Sequence, residues 1–180
     1  MLTTGQISLF YPQNWPAISD TTSEVGGGVS SNLINSTPTG LFPTGQSSVL
    51  GGPTFTRYAK VFFRHTGASV DTLSNPLLYI TNQSIVGQIN IAPDPYWLGI
   101  HAGQTGGSAN RSSVPTGLTA SNFSGYTIEA PLSLTNISST GSVVFRSGNT
   151  IGVWARLSVP AGLQNSYENS FNLAIRGDVG

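Results

Sequence analysis

The stretch that decides the fold is residues 57–66, which reads RYAKVFFRHT. Small or apolar side chains alternate with polar ones along it, at Ala59, Val61 and Phe63, and this alternation predicts a β-strand with one face toward a core. Successive side chains of a strand point to opposite faces of its sheet. The other face of this strand therefore carries Tyr58, Lys60 and Arg64.

Residues 150–159 show the same alternation and predict a second strand. One of its faces carries Ile151, Val153, Ala155 and Leu157, and the other carries Trp154 and Arg156. A turn signal, Ser147-Gly148-Asn149, leads into this strand, and another, Asn75-Pro76, precedes residue 77. Working outward, we predict further strands at 5–11, 77–81, 86–92, 126–132, 142–146 and 171–176.

Many short strands separated by loops are typical of a β-sandwich or a small barrel. We predict an all-β chain that forms an antiparallel β-sandwich of the Ig-like or jelly-roll type. No segment has helical periodicity, and 22 glycines and 11 prolines interrupt the sequence. We expect residues 1–180 to form one such domain. Its expected core comprises Val61, Phe63, Leu77, Tyr79, Ile89, Val153, Leu157, Phe171, Leu173 and Ile175.

Two long segments, 12–54 and 93–125, do not fit a compact sandwich, since loops of this length are usually functional or disordered. We interpret 93–125 as a loop insertion. Segment 12–54 contains too many prolines and glycines for regular structure, yet it carries apolar side chains that need burial. We therefore interpret it as an extended arm that packs on another subunit. Its candidate interface residues are Trp15, Ile18, Leu33, Leu41 and Phe42.

Charge is scarce in this chain, with seven basic and seven acidic residues making up 8% of it, against about 25% in a typical soluble domain. A weakly charged surface opposes self-association only a little, which suits a protein that works in an assembly. The cations are dispersed along the sequence, whereas a nucleic-acid-binding protein concentrates them on one face. We expect no nucleic-acid partner.

Neither a signal peptide nor an apolar run long enough to cross a membrane is visible in the sequence. We expect synthesis in a cytoplasm and no membrane partner. Five Asn-x-Ser/Thr triplets, the first at Asn35, are expected by chance in a chain so rich in these residues. There is no cysteine, which excludes disulfides, thiolate metal sites and a cysteine nucleophile.

Catalytic chemistry has little support in the sequence. His65 and His101 are the two histidines, and neither has a nearby partner at metal-ligand spacing; Asp94 is the acid nearest to His101. The glycine-rich runs lack the Lys-Ser/Thr of a phosphate-binding loop, and we interpret them as flexible turns. We expect no enzyme activity, no catalytic residue, no metal and no cofactor.

Aromatic residues close to arginine indicate a binding surface more strongly than any residue here indicates catalysis, because such residues are enriched at protein interfaces. Tyr96 and Trp97 are adjacent, and Trp154 shares a strand face with Arg156. All four are candidate interface residues. Two alternatives remain open: the aromatic rings stack on sugars in a receptor-binding module, or another part of this chain covers them.

Several stretches resemble small virion proteins of tailed bacteriophages. Residues 58–65, YAKVFFRH, followed by LLYI at 77–80, are similar to a pair of strands in that family. The end of the chain is similar as well, with IGVWARLSVPAG at 151–162, YENS at 167–170 and FNLAIRGD at 171–178. Leu157 departs from the pattern, which usually has a second Arg or Lys there.

This resemblance implies a capsid decoration, or cement, protein with an Ig-like sandwich. It implies a location on the capsid surface and a major capsid protein as partner, together with homo-oligomeric contacts between neighbouring copies. The alternative is a carbohydrate-binding or receptor-binding module of the tail or fibre. No catalytic motif belongs to the shared pattern, which covers about half of the chain.

Overall fold

The computed structural model describes residues 6–15, 24–34, 41–42, 55–68, 70–84, 87–94, 119–134, 143–161 and 170–180. These residues form strands and one short 3-10 helix, Ala120–Asn122. The strands are β1 (Ile7–Pro12), β2 (Glu24–Val25), β3 (Val29–Ile34), β4 (Phe55–His65), β5 (Thr72–Gln83), β6 (Ile89–Pro93), β7 (Leu132–Ser133), β8 (Val144–Arg146), β9 (Thr150–Val159) and β10 (Phe171–Val179). In the described part of the chain, no helix is long and apolar enough to span a bilayer.

The larger sheet has the strand order β3-β1-β4-β9-β6. All neighbours along this path are antiparallel. The whole of β9 pairs with β4, from Phe55 opposite Val159 to Arg64 opposite Thr150. The short strand β2 also joins β4, in parallel, with Glu24 opposite Tyr58. The two stretches that decide the fold class are therefore the two central strands of this sheet.

The smaller sheet is built around β5. Strand β10 pairs along one side of β5, while β8 and β7 share the other side, all of them antiparallel. The two sheets pack face to face, and their facing side chains form the main core. Its buried members are Val61, Phe63, Leu73, Leu78, Ile91, Leu132, Leu134, Val143, Phe145, Ile151, Val153 and Ala155. The predicted all-β antiparallel sandwich is confirmed.

The sequence analysis predicted a turn at a point where β5 is continuous. The structure continues this strand through Asn75 and Pro76, which were predicted to form a turn. Asn75 adopts a positive φ of 52°, and at this point the partner of β5 changes from β8 to β7. Asparagine tolerates the left-handed region better than most residues, so a bulge forms here and the strand does not end.

The bulge also reverses which side chains of β5 face the core, because a one-residue slip exchanges the two faces of a strand. Leu73 and Leu78 both lie in the core, with Ile80 packed against it. The predicted core members Leu77 and Tyr79 are therefore on the opposite face, where Tyr79 is buried as predicted and Leu77 is half-buried. There the guanidinium carbon of Arg176 lies 5.4 Å from the centre of the Tyr79 ring.

Most of the other residues predicted for the core do pack there. Val61, Phe63, Ile89 and Val153 are buried, and Phe171, Leu173 and Ile175 pack partly buried against the core. Leu157 is only half-buried. The strand predicted at 126–132 is wrong: only Leu132 of that stretch is in a strand. The chain turns between Thr127 and Ala130, where the Thr127 N–H donates to the Ala130 carbonyl at 3.3 Å.

Segment 12–54 contains regular structure, contrary to the prediction for an extended arm. Its described residues include β2 and β3, and β3 forms an edge of the larger sheet through its pairing with β1. The connection to β3 uses Gly27, whose φ of +102° is costly for any residue with a Cβ. Of the predicted loop insertion 93–125, the described parts are residues 93–94 and 119–125, which include the 3-10 helix.

Candidate interaction surface

The edge strand β3 presents the candidate interface residue that is most exposed in the described part of the chain. Leu33 lies opposite Phe10 of β1, and 51% of its surface is exposed. Ser31 and Asn32 beside it are exposed as well. Among the described residues, no strand pairs with the other side of β3. An edge strand of this kind offers backbone groups and an apolar side chain to another chain.

The chain before β3 holds this edge in a fixed position. The N–H of Gln13 donates to the Gly28 carbonyl at 2.8 Å, and the N–H of Asn14 donates to the Gly26 carbonyl at 3.2 Å. Residues 26–28 are buried. A Cβ at Gly27 would approach the Asn14 side chain to 3.3 Å. This glycine run, which was predicted to be a flexible turn, is thus a packed element that requires glycine.

Three other arm residues contact this chain's own interior. The Trp15 ring stacks on Tyr11, with ring centroids 3.7 Å apart and an interplanar angle of 15°. Leu41 and Phe42 pack against the main core, where the Phe42 ring centroid lies 6.2 Å from that of Phe171. These side chains therefore gain burial without a second subunit. Ile18 lies outside the described residues.

The outer face of the larger sheet is also buried at its centre, so that of the two alternatives left open for Trp154 the structure shows the one in which this chain covers it. Lys60, Phe62 and Trp154 are each 0% exposed, although they alternate with the side chains that face the smaller sheet. The candidate interface residue Trp154 is therefore an interior residue. It packs with Ala92 and Phe123, and Tyr58 lies against this second cluster.

The most unusual feature of this outer face is a buried ion pair between Lys60 Nζ and Asp94 Oδ2, with both side chains 0% exposed. The ammonium nitrogen lies 5.0 Å from the centre of the Phe62 ring and 5.6 Å from that of Trp154. Burial lowers the pKa of Lys60, and the attraction to Asp94 and its hydrogen bond oppose that shift. Transfer of each ion out of water costs several kcal/mol, so a pair without compensation would be destabilising.

Phe123 lies at one side of the second cluster, which it forms with Ala92 and Trp154. The backbone of Ser124 forms an isolated bridge with Ile91 of β6, with hydrogen bonds of 2.9 and 3.1 Å. This bridge holds the Phe123 ring 5.6 Å from Tyr58 and 5.3 Å from the guanidinium carbon of Arg156, centroid distances in both cases. Arg156 is half-buried, so it contributes to the surface only in part.

His65 is a core residue. It is fully buried, its Nδ1 accepts a hydrogen bond from the Gly67 N–H at 3.1 Å, and its ring meets Phe145 edge-on at 5.7 Å. No group of three or more His, Cys, Asp or Glu side chains within the described ranges is arranged to hold a metal ion. His101 lies outside those ranges.

The structure thus brings together Lys60, Asp94 and Trp154, which the sequence analysis treated separately. A signal for this second buried layer existed: VFF at 61–63 and IGVWA at 151–155 are almost continuously apolar, which is typical of strands covered on both faces. The candidates Tyr96 and Trp97 lie outside the described residues. Comparison of the chain with known protein families, with curated proteins and with solved structures finds no match.

Proposed function

We propose that this chain is a non-enzymatic virion structural protein, a capsid decoration protein that binds and stabilises the assembled head of a tailed bacteriophage. Its partners are the major capsid protein and neighbouring copies in the shell. It is synthesised in the host cytoplasm and resides on the capsid surface. The Ig-like or jelly-roll type of sandwich belongs to the same proposal, because it rests on the sequence resemblance.

The observation that carries this proposal is the edge at β3, whose outer side pairs with no strand in the described part of the chain. Leu33 is 51% exposed there, beside polar but uncharged side chains, Ser31 and Asn32. A second chain can add to such an edge through main-chain hydrogen bonds, with Leu33 seated in a pocket of the partner. The low charge of the whole chain adds little electrostatic repulsion between copies crowded on a lattice.

A protein that binds only the assembled lattice stabilises it by mass action, since every bound copy lowers the free energy of the assembled form. Modest affinity at each site is sufficient, because the shell repeats the site many times. Such a role requires complementary surface and no reactive group. The edge and the rigid sandwich behind it meet that requirement.

The test is co-sedimentation of the purified protein with phage heads that lack it. We expect binding by the natural protein and at least about tenfold weaker binding by Leu33→Lys, since a lysine both removes the apolar contact and blunts an edge strand. Val179→Lys is the matched control: Val179 is also 51% exposed, at the end of β10 on an edge of the other sheet. It should bind heads normally.

Equal binding by both variants would place the contact away from β3. Failure of the natural protein to bind heads at all would refute the decoration role. Circular dichroism of each variant ensures that a loss of binding does not reflect unfolding, and exposed positions of this kind usually change stability by about 0.5 kcal/mol or less.

The alternative function is a carbohydrate-binding or receptor-binding module of the tail or fibre. The observation that favours it is the cluster of half-buried Tyr58 and Arg156 around Phe123, since aromatic rings beside arginine suit a sugar face. Fractionation of virions into heads and tails separates the two proposals. Recovery of the chain in the tail fraction would support this one.

A further inference from the structure

The backbone of three neighbouring strands holds Lys60 and Asp94 against each other. Lys60 of β4 lies opposite Trp154 of β9, and Trp154 lies opposite Ala92 of β6. Asp94 follows β6 directly, and its N–H donates to the Gly152 carbonyl at 2.9 Å. The ion pair therefore bridges β4 to the end of β6 across β9. Its two side chains are attached to regular, hydrogen-bonded backbone and cannot separate easily.

The surroundings of Lys60 disfavour its charged form, and the attraction to Asp94 opposes that effect. Both side chains are fully buried, and two aromatic rings, Phe62 and Trp154, flank the Lys60 nitrogen. Burial lowers the pKa of Lys60, because a buried ammonium loses the hydration that stabilises its charge. A desolvated lysine in an apolar pocket is an activated nucleophile, and a protonated carboxyl group is the matching electrophile.

We propose that Lys60 and Asp94 condense to an intramolecular isopeptide bond. A proton first passes from the Lys60 ammonium to the Asp94 carboxylate within the ion pair. The free electron pair of Nζ then attacks the Asp94 carboxyl carbon, a C–N bond forms, and the C–O bond of the protonated oxygen breaks. That oxygen leaves as water with a second proton from Nζ. One ammonium and one carboxylate thus give one amide and one water, with no oxidant, reductant or other reactant.

Three features of the site assist this step. Fixed contact between reacting groups is worth effective concentrations on the order of 10⁵ to 10⁸ M, and exclusion of bulk water favours condensation over hydrolysis. The indole N–H of Trp154 is buried and has no hydrogen-bond acceptor among the described residues. The Lys60 nitrogen lies 5.6 Å from the centre of the same ring, and a buried donor of this kind stabilises an oxyanion that forms within its reach.

The bond would give this chain an internal covalent cross-link where a disulfide is impossible, because it has no cysteine. It would join β4 covalently to Asp94, the residue directly after β6. This inference does not rest on the proposed function, since a sandwich protein in any role can carry such a link.

The decisive measurement is the intact mass of the natural protein, purified folded and then denatured, by high-resolution mass spectrometry. We expect a mass lower than that of the sequence by one water molecule. Proteolysis followed by fragmentation should yield a branched peptide that joins Lys60 to Asp94. Lys60→Met and Asp94→Ala should each restore the full mass.

A natural protein that keeps its full mass after prolonged incubation in the folded state overturns the proposal. So does a water loss that persists in Lys60→Met or is located at other residues. Because the primary result comes from the natural protein, it stands even where a single variant fails to fold. In that case the double variant Lys60→Met/Asp94→Leu, which leaves no buried charge, supplies the full-mass control.

Discussion

Truncation of Phe62 and Phe63 in separate variants tests whether the larger sheet is covered on both of its faces. The two residues are consecutive on β4, so they point to opposite faces, and they are 0% and 3% exposed, respectively. Phe63 belongs to the core between the sheets, whereas Phe62 packs with Phe10 and Val29 on the outer face. Truncation of a buried phenylalanine to alanine typically costs about 3–5 kcal/mol.

We therefore expect Phe62→Ala and Phe63→Ala each to lower the free energy of unfolding by about 3–5 kcal/mol. For a chain of this size the loss corresponds to a fall in melting temperature of roughly 6–20 °C. Urea denaturation followed by tryptophan fluorescence measures the change. The control Arg64→Ala removes the next side chain, which is exposed and whose guanidinium carbon lies 5.8 Å from the centre of the Phe10 ring. It should change stability by no more than about 1 kcal/mol. A value for Phe62→Ala as small as that of the control would refute the second buried layer.

Three backbone predictions follow from the same structure, each measured by chemical denaturation. Gly177→Ala should destabilise the protein by about 1–3 kcal/mol, since its Cβ would lie 2.5 Å from the Ser74 carbonyl oxygen; a neutral result would mean that β10 moves freely there. Gly27→Ala should cost about 1–2 kcal/mol because of its left-handed backbone, with an unchanged melting temperature as the contrary result. Asn75→Gly should be neutral or slightly stabilising whereas Asn75→Val is destabilising, and the reverse order would argue against the bulge.

The sequence was sufficient to predict the class of fold and most strand positions, because period-two alternation is a local property. Residues 150–159 were predicted as a strand with the limits that the structure gives β9. The faces of β5 could not be predicted in the same way. Asn75 followed by proline is typical of a turn. Pairing with β10 along one side, and with β8 and then β7 along the other, keeps the strand extended. That pairing joins residues that are distant in sequence, and it leaves no pattern in the local sequence around Asn75.

The buried ion pair could not be predicted for a related reason. A lysine in an alternating strand is ordinarily placed on the solvent face, since lysine is almost never fully buried unless it is paired. Its partner, Asp94, is remote in sequence and belongs to no motif. The neighbouring apolar runs at 61–63 and 151–155 indicate a strand buried on both faces, but they do not say which acid neutralises the charge.

Coverage of both faces of the larger sheet has a consequence for where a partner can bind. At the centre of this sheet, Trp154 is enclosed on one face and Val153 on the other, so a partner gains no apolar contact there without unfolding part of the chain. The edges differ, because strand pairing leaves their outer backbone groups free to bond. Leu33 combines such an edge with an exposed apolar side chain. In the described part of the larger sheet, recognition by a second chain is therefore expected at β3, while the outer face serves stability.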